Sequence, residues 1–181
     1  MIMIKKITNK DIVNGSFVIP DGVTEIGDMA FADCWRLESI IIPESVTKIG
    51  EEAFERCSSL PSIIIPDGVT EIGLGAFSDC WRLESIIIPE SVTEIGIDTF
   101  ERCSSLKRVI IPEGVTEIGV GAFYECSSLS SIVIPESVTE IGEEAFYGCS
   151  SLKKVSLPKK VKLGNNVFCG CHPEIEIEYR D

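Results

Sequence analysis

Pro20, Pro43, Pro66, Pro89, Pro112, Pro135 and Pro158 stand 23 residues apart. A strict period of that length admits one kind of architecture, a stack of like units in which each buries its apolar face against its neighbours. Phe31, Phe54, Phe77, Phe100, Phe123 and Phe146 keep the step, as do the cysteines from Cys34 to Cys149 and the leucines from Leu37 to Leu152. One unit reads A-F-x-x-C-x-x-L-x-x-I-x-I-P-x-x-V-T-x-I-G-x-x. The regular positions bring the same side chain to the same face in every unit, so they account for folding. Whatever distinguishes this chain lies in the positions that vary.

The pairs Ile40/Ile42, Ile63/Ile65, Ile86/Ile88, Val109/Ile111, Ile132/Ile134 and Val155/Leu157 alternate as a short strand with one buried face requires. Proline directly afterwards closes the strand, because it cannot donate to a ladder. Ala53, Phe54 and Cys57, with equivalents in the other units (Thr99 replaces one alanine), lie at i, i+1 and i+4. That spacing predicts one face of a short helical turn packed on the strands. The glycine ahead of the turn, from Gly27 to Gly142, predicts either a positive φ or a close backbone approach. The stretch V-T-x-I-G, with Val46 and Ile49 three residues apart, predicts a bent, half-buried segment rather than a strand.

The run C-S-S-L-x-S-I-x-I-P-E-S-V-T-E-I-G-x-x-A-F at residues 126–146 resembles the BspA-like, or treponemal-type, leucine-rich repeat. The likeness extends over about residues 15–177, with some ten positions per unit matching through six copies. It implies an α/β repeat solenoid: a right-handed leucine-rich-repeat array with a parallel β-sheet on the concave face and short helical or irregular segments on the convex face. It also implies a noncatalytic, adhesin-like module that binds proteins, at a bacterial surface or secreted.

Both ends depart from the pattern, as the caps of a solenoid must. Residues 1–16 read as an N-terminal cap, residues 17–157 as the repeats, and residues 158–181 as a degenerate last repeat with the C-terminal cap. After Pro158 one residue is lost, so Phe168 and Cys171 arrive 22 rather than 23 residues after their predecessors. Ile175, Ile177 and Tyr179 then alternate with glutamates, which finishes the sheet and guards its edge. Eight rungs from Phe17 to Ile177, at about 4.8 Å each, predict a sheet roughly 35–40 Å long. Residues 31–73 and 77–119 are nearly identical, the mark of a 46-residue pair copied as a unit.

A formal charge of −13 argues against nucleic acid and anionic membrane as partners, since both need a basic footprint. No apolar run approaches the roughly 20 residues of a membrane span. Met1-Ile-Met-Ile-Lys-Lys lacks the apolar centre of a signal peptide, so a surface location would require a leader already removed. Six of the eight cysteines share one repeat position beside phenylalanine and leucine, and read as buried, reduced packing groups. Cys169, Cys171 and His172 resemble a metal site, but three candidate ligands within four residues of a degenerate cap favour cap packing. No metal or cofactor is expected. Two carboxylate ladders, Asp21, Glu44, Asp67, Glu90, Glu113 and Glu136 after the prolines and Glu25, Glu71, Glu94, Glu117 and Glu140 before I-G, where Lys48 stands in the second unit, read as solvated faces. The only histidine is His172, which leaves no persuasive set of nucleophile, base and acid, and no enzyme is expected.

Binding is expected where the pattern breaks its own rules. The middle residue of I-x-I forms an aliphatic stripe, Ile41, Ile64, Ile87, Ile110 and Val133, ending at Ser156. Family members more often carry a small polar residue there. Five such side chains in register approach the few hundred Å² at which an apolar patch implies a partner, although β-branched residues also simply favour strands. After the cysteine most units have serine, but two have Trp35-Arg36 and Trp81-Arg82. Tryptophan and arginine are enriched in binding hot spots, and two rungs place the indoles about 10 Å apart; the competing reading is ordinary packing over the strand entrance. The expected partner is a protein or peptide on the concave face. The alternatives are a homodimer through the stripe, a structural or consensus-type scaffold without a partner, and, remotely, glycan binding.

Overall fold

The computed structural model of the protein describes residues 2–180. In chain order its strands are β1 (Met3–Ile4), β2 (Ser16–Val18), β3 (Glu25–Ile26), β4 (Ser39–Ile41), β5 (Lys48–Ile49), β6 (Glu71–Ile72), β7 (Ser85–Ile87) and β8 (Glu94–Ile95). There follow β9 (Arg108–Ile110), β10 (Glu117–Ile118), β11 (Ser131–Val133), β12 (Glu140–Ile141), β13 (Lys154–Pro158), β14 (Lys162–Leu163) and β15 (Glu176–Arg180). All pairings between these strands are parallel, and each joins a residue to its counterpart in the next unit, as in Ile86↔Val109 and Ile132↔Val155. The chain is thus a parallel β-solenoid of about eight turns, the leucine-rich-repeat architecture its period demands.

Three sides enclose the core. The I-x-I side carries β2–β4, β7–β9 and β11–β13–β15. A second side, unexpected from the sequence, carries β1–β3–β5–β6 and β8–β10–β12–β14. Its strands are the residue pairs before glycine, so V-T-x-I-G does extend into a strand, although only two residues long. The glycines there serve close approach: a Cβ on Gly73 would lie 2.5 Å from Glu51 N, and one on Gly142 2.5 Å from Val120 N. Besides the strand ladder itself, threonine N–H to threonine C=O and glycine N–H to isoleucine C=O tie neighbouring repeats together on this side, as in Thr70 to Thr47 and Gly73 to Ile49. At one junction the set is open, for neither Thr93 to Thr70 nor Gly96 to Ile72 is bonded. The opening coincides with Thr99, whose buried hydroxyl donates to Gly96 O at 2.9 Å.

The third side is A-F-x-x-C, and no described residue is helical. The residues two before and two after each phenylalanine sit in the left-handed region, for example Glu52 at φ 51° and Arg56 at φ 55°, which an α-helix cannot contain. Consecutive tight turns replace the helix, with Phe31 O accepting from Cys34 N and Phe54 O from Cys57 N. The remaining N–H groups point along the array: Glu52, Phe54 and Arg56 donate to Leu74, Ala76 and Ser78 in the next unit. The same three bonds recur at each of the six junctions from Met29 to Cys169. They offset the roughly 1–2 kcal/mol that each non-glycine left-handed residue costs.

Within these sides the repeated side chains form columns. Phenylalanine rings from Phe31 to Phe168 stack with centroids 5.1–5.7 Å apart and planes within 15°, and Phe17 meets Phe31 edge-on. From Cys57 to Cys149 each buried thiol donates to the phenylalanine carbonyl of the preceding unit, Cys80 to Phe54 O at 3.1 Å and Cys126 to Phe100 O at 3.1 Å, while Cys34 donates to Ile7 O. None is in a disulfide. Burial pushes these thiols up, Cys34 to about 11 and Cys80 to about 12. Cys171 continues the column into the last unit through Phe146 O. At the other end β1 pairs with β3 and Ile12 is buried, so the N-terminal segment supplies a partial rung.

Candidate functional site

On the I-x-I side the middle residue of each I-x-I triplet turns outward while its neighbours turn in. Ile41, Ile64, Ile87, Ile110 and Val133 are all exposed, from 39% at Ile110 to 85% at Ile64. Register brings them into line, with Ile87 beside Ile110 and Val133 beside Ser156. Val18 pairs with Ile41 and is exposed as well, which lengthens the stripe by one rung toward the N-terminus. The phase of Phe17 and Ile19 carried that signal in the sequence.

The ladder behind the stripe is discontinuous. Pro61 stands where other units have glutamate, lysine or serine, and it has no N–H to offer the preceding unit. Residues 62–65 form no strand and are joined to β7 by the single bridge Ser62↔Ser85. Between them lies a cleft of about 330 Å³ lined by Ile64, Ile87, Ser62, Ser85 and Asp67. A second, of about 370 Å³, opens between β9 and β11 and is lined by Ile110, Val133, Lys107, Arg108 and Glu113. Asp67 and Glu113, two of the carboxylates after the prolines, therefore border the stripe directly.

Trp35 and Trp81 are also exposed, at 59% and 49%. Trp81 Nε1–H donates to Asp79 Oδ1 at 3.1 Å, which fixes the ring. It walls a groove of about 380 Å³ with Arg102, Ser104, Glu125, Ser127 and Gly148, none of them a stripe residue. The structure thus assembles the stripe into one surface and gives Trp81 another. Arg36 bonds the N-terminal segment, its N–H donating to Asn9 Oδ1 at 2.9 Å and its guanidinium to Asn9 O. Arg82 is exposed. In the C-terminal cap the three candidate metal ligands are otherwise engaged or apart: the Cys171 thiol donates to Phe146 O, His172 Nδ1 accepts from Glu174 N–H, and Cys169 is exposed. Among the described residues no three His, Cys, Asp or Glu side chains gather as a metal site would require.

Comparison with known proteins agrees with this geometry. The BspA type leucine rich repeat region, in six copies, matches residues 9–119 and 70–180. A leucine-rich repeat protein of T. pallidum is 40% identical, with a TM-score of 0.85 over 89% of this chain and 78% of that one. One from Bacteroides ovatus is 31% identical, with a TM-score of 0.68 over 89% of this chain and 48% of the other. One from Eubacterium ventriosum is 27% identical, with a TM-score of 0.82 over 91% of this chain and 44% of the other. No curated protein matches the sequence. With the repeat, the parallel solenoid and the family match in agreement along almost its whole length, the chain belongs to the BspA-type leucine-rich repeat family.

Proposed function

We propose that this protein is a noncatalytic module that binds a protein or peptide on its I-x-I face, with the aliphatic stripe as the contact. The observation that carries this is the exposure of six aliphatic side chains at equivalent repeat positions, from Val18 to Val133, with Val18 paired to Ile41 and Ile87 to Ile110. Burying them would cost a partner no unpaired polar group, and each fully covered side chain is worth about 1.5–3 kcal/mol. Support also comes from the family, whose leucine-rich-repeat members generally mediate protein interactions or adhesion. The test is a pull-down with Ile64→Ser/Ile87→Ser beside Trp35→Ser/Trp81→Ser. Because all four residues are exposed, both variants keep the fold by circular dichroism. Association lost in the first variant alone supports the stripe, whereas association untouched by the first refutes it.

A second reading, glycan binding, is favoured by the groove at Trp81, where a fixed indole, a guanidinium, a carboxylate and two hydroxyls face one open space. Binding on a glycan array that disappears with Trp81→Ala would support it.

A further inference from the structure

The charges that border the stripe say what kind of segment it accepts. This inference rests on the reading of the I-x-I face as a binding surface. On the proline side of the stripe, Asp21, Glu44, Asp67, Glu90, Glu113 and Glu136 are exposed in an unbroken acidic row. On the entrance side the equivalent positions are Glu38, Pro61, Glu84, Lys107, Ser130 and Lys153, followed by the strand residues Ser39, Ser62, Ser85, Arg108, Ser131 and Lys154. The half of the face that carries Val18, Ile41, Ile64 and Ile87 is therefore flanked by Asp21, Glu38, Glu44, Asp67, Glu84 and Glu90, with no lysine or arginine in these rows before Lys107. Among the described residues, Glu84 alone of these acids forms an ion pair, with Lys107 at 2.9 Å. The other five leave the N-terminal half with an unbalanced negative field against an apolar strip.

We infer that the partner is an extended segment of another protein that alternates apolar and cationic side chains. Its aliphatic or aromatic groups cover the stripe between Val18 and Ile87, and its lysines or arginines reach the acidic row. Charge complementarity selects this occupant over a second copy of the chain. A copy brings a charge of −13 and its own acidic row, so stripe-on-stripe pairing about an axis along the strands sets acid against acid. Pairing about the long axis of the array sets Asp67 and Glu90 near Glu84. Like charges in contact across an interface discriminate strongly against the pairing that creates them.

The test uses the full chain and two fluorescein-labelled peptides that share the same leucines and serines and differ only in lysine or glutamate at the remaining positions. Fluorescence anisotropy at low salt should give at least about tenfold tighter binding of the lysine peptide, with the difference shrinking as salt rises. Glu44→Lys/Asp67→Lys/Glu90→Lys should reverse the preference, and Ile64→Ser/Ile87→Ser should weaken both peptides. Equal binding of the two peptides, lost in the isoleucine variant, overturns the cationic partner and leaves the binding face standing. Tighter binding of the glutamate peptide overturns it as well. If neither peptide binds and light scattering finds a dimer dissolved by Ile64→Ser/Ile87→Ser, the occupant is a second copy. No peptide binding by a monomer overturns both readings.

Discussion

At the scale of single residues the repeated cysteines show most clearly how burial sets chemistry. Each thiol sits between a phenylalanine and a leucine and donates to a carbonyl of the preceding unit, so deprotonation would place an unsolvated anion against a carbonyl oxygen. Burial lifts Cys80 to about 12 and Cys34 to about 11, against an ordinary value of 9.0. The folded chain therefore holds protons that the unfolded chain releases near pH 9, and the sign follows: above that pH the unfolded state binds fewer protons, so stability falls as pH rises. Urea midpoints measured from pH 7 to pH 10 should decline above pH 9, and a flat profile would contradict the thiol ladder. Reactivity follows the same division. A thiol reagent at pH 8 should label exposed Cys169 rapidly and the six buried thiols only on unfolding.

Among the elements, the second side is the most exacting, because its glycines lie against the backbone of the preceding unit. A methyl on Gly73 or Gly142 would meet main-chain nitrogen at 2.5 Å, whereas one on Gly96 meets the flexible Leu74 Cδ2 at 3.0 Å, where the ladder is open. Gly73→Ala and Gly142→Ala should each cost about 1–3 kcal/mol in urea unfolding, and Gly96→Ala clearly less. Equal losses would mean that the opening between Ile72 and Gly96 closes in solution. The sequence displays the side-chain columns openly, since Phe54, Cys57, Leu60 and the Ile63/Ile65 pair recur by identity. It displays the backbone poorly. Ala53, Phe54 and Cys57 have the same spacing in a helical turn and in a run of tight turns, and what separates the two is the φ of Glu52 and Arg56, whose positions vary from unit to unit. Gly75, Gly121 and Gly148 at those positions were the available hint of left-handed backbone. Two-residue strands such as β6 are too short to show alternation. The stripe was legible because each of its residues breaks a rule. Pro61, which opens the ladder behind it, was masked by prolines that keep the period.

The whole molecule divides its labour among its three sides. The I-x-I ladder is interrupted on either side of β7–β9, between β4 and Ser62 and between β9 and β11, and the second side between β6 and β8, whereas the turn side keeps three hydrogen bonds at each of the six junctions from Met29 to Cys169. Cohesion rests on the turns, and the face with the stripe is left to vary. The copied 46-residue pair fits this division, for a unit that makes the same three turn bonds to whichever unit follows it can be duplicated without redesign of the turn side. The turn bonds also run along the axis, so the junctions bear tension in series. Stretched from its two ends, the array should behave as a row of identical links that give way singly, each unit of 23 residues paying out roughly 75–80 Å of chain. Single-molecule pulling would register that as an evenly spaced sawtooth, and an anchored protein built this way would absorb a sudden load by lengthening before it lets go.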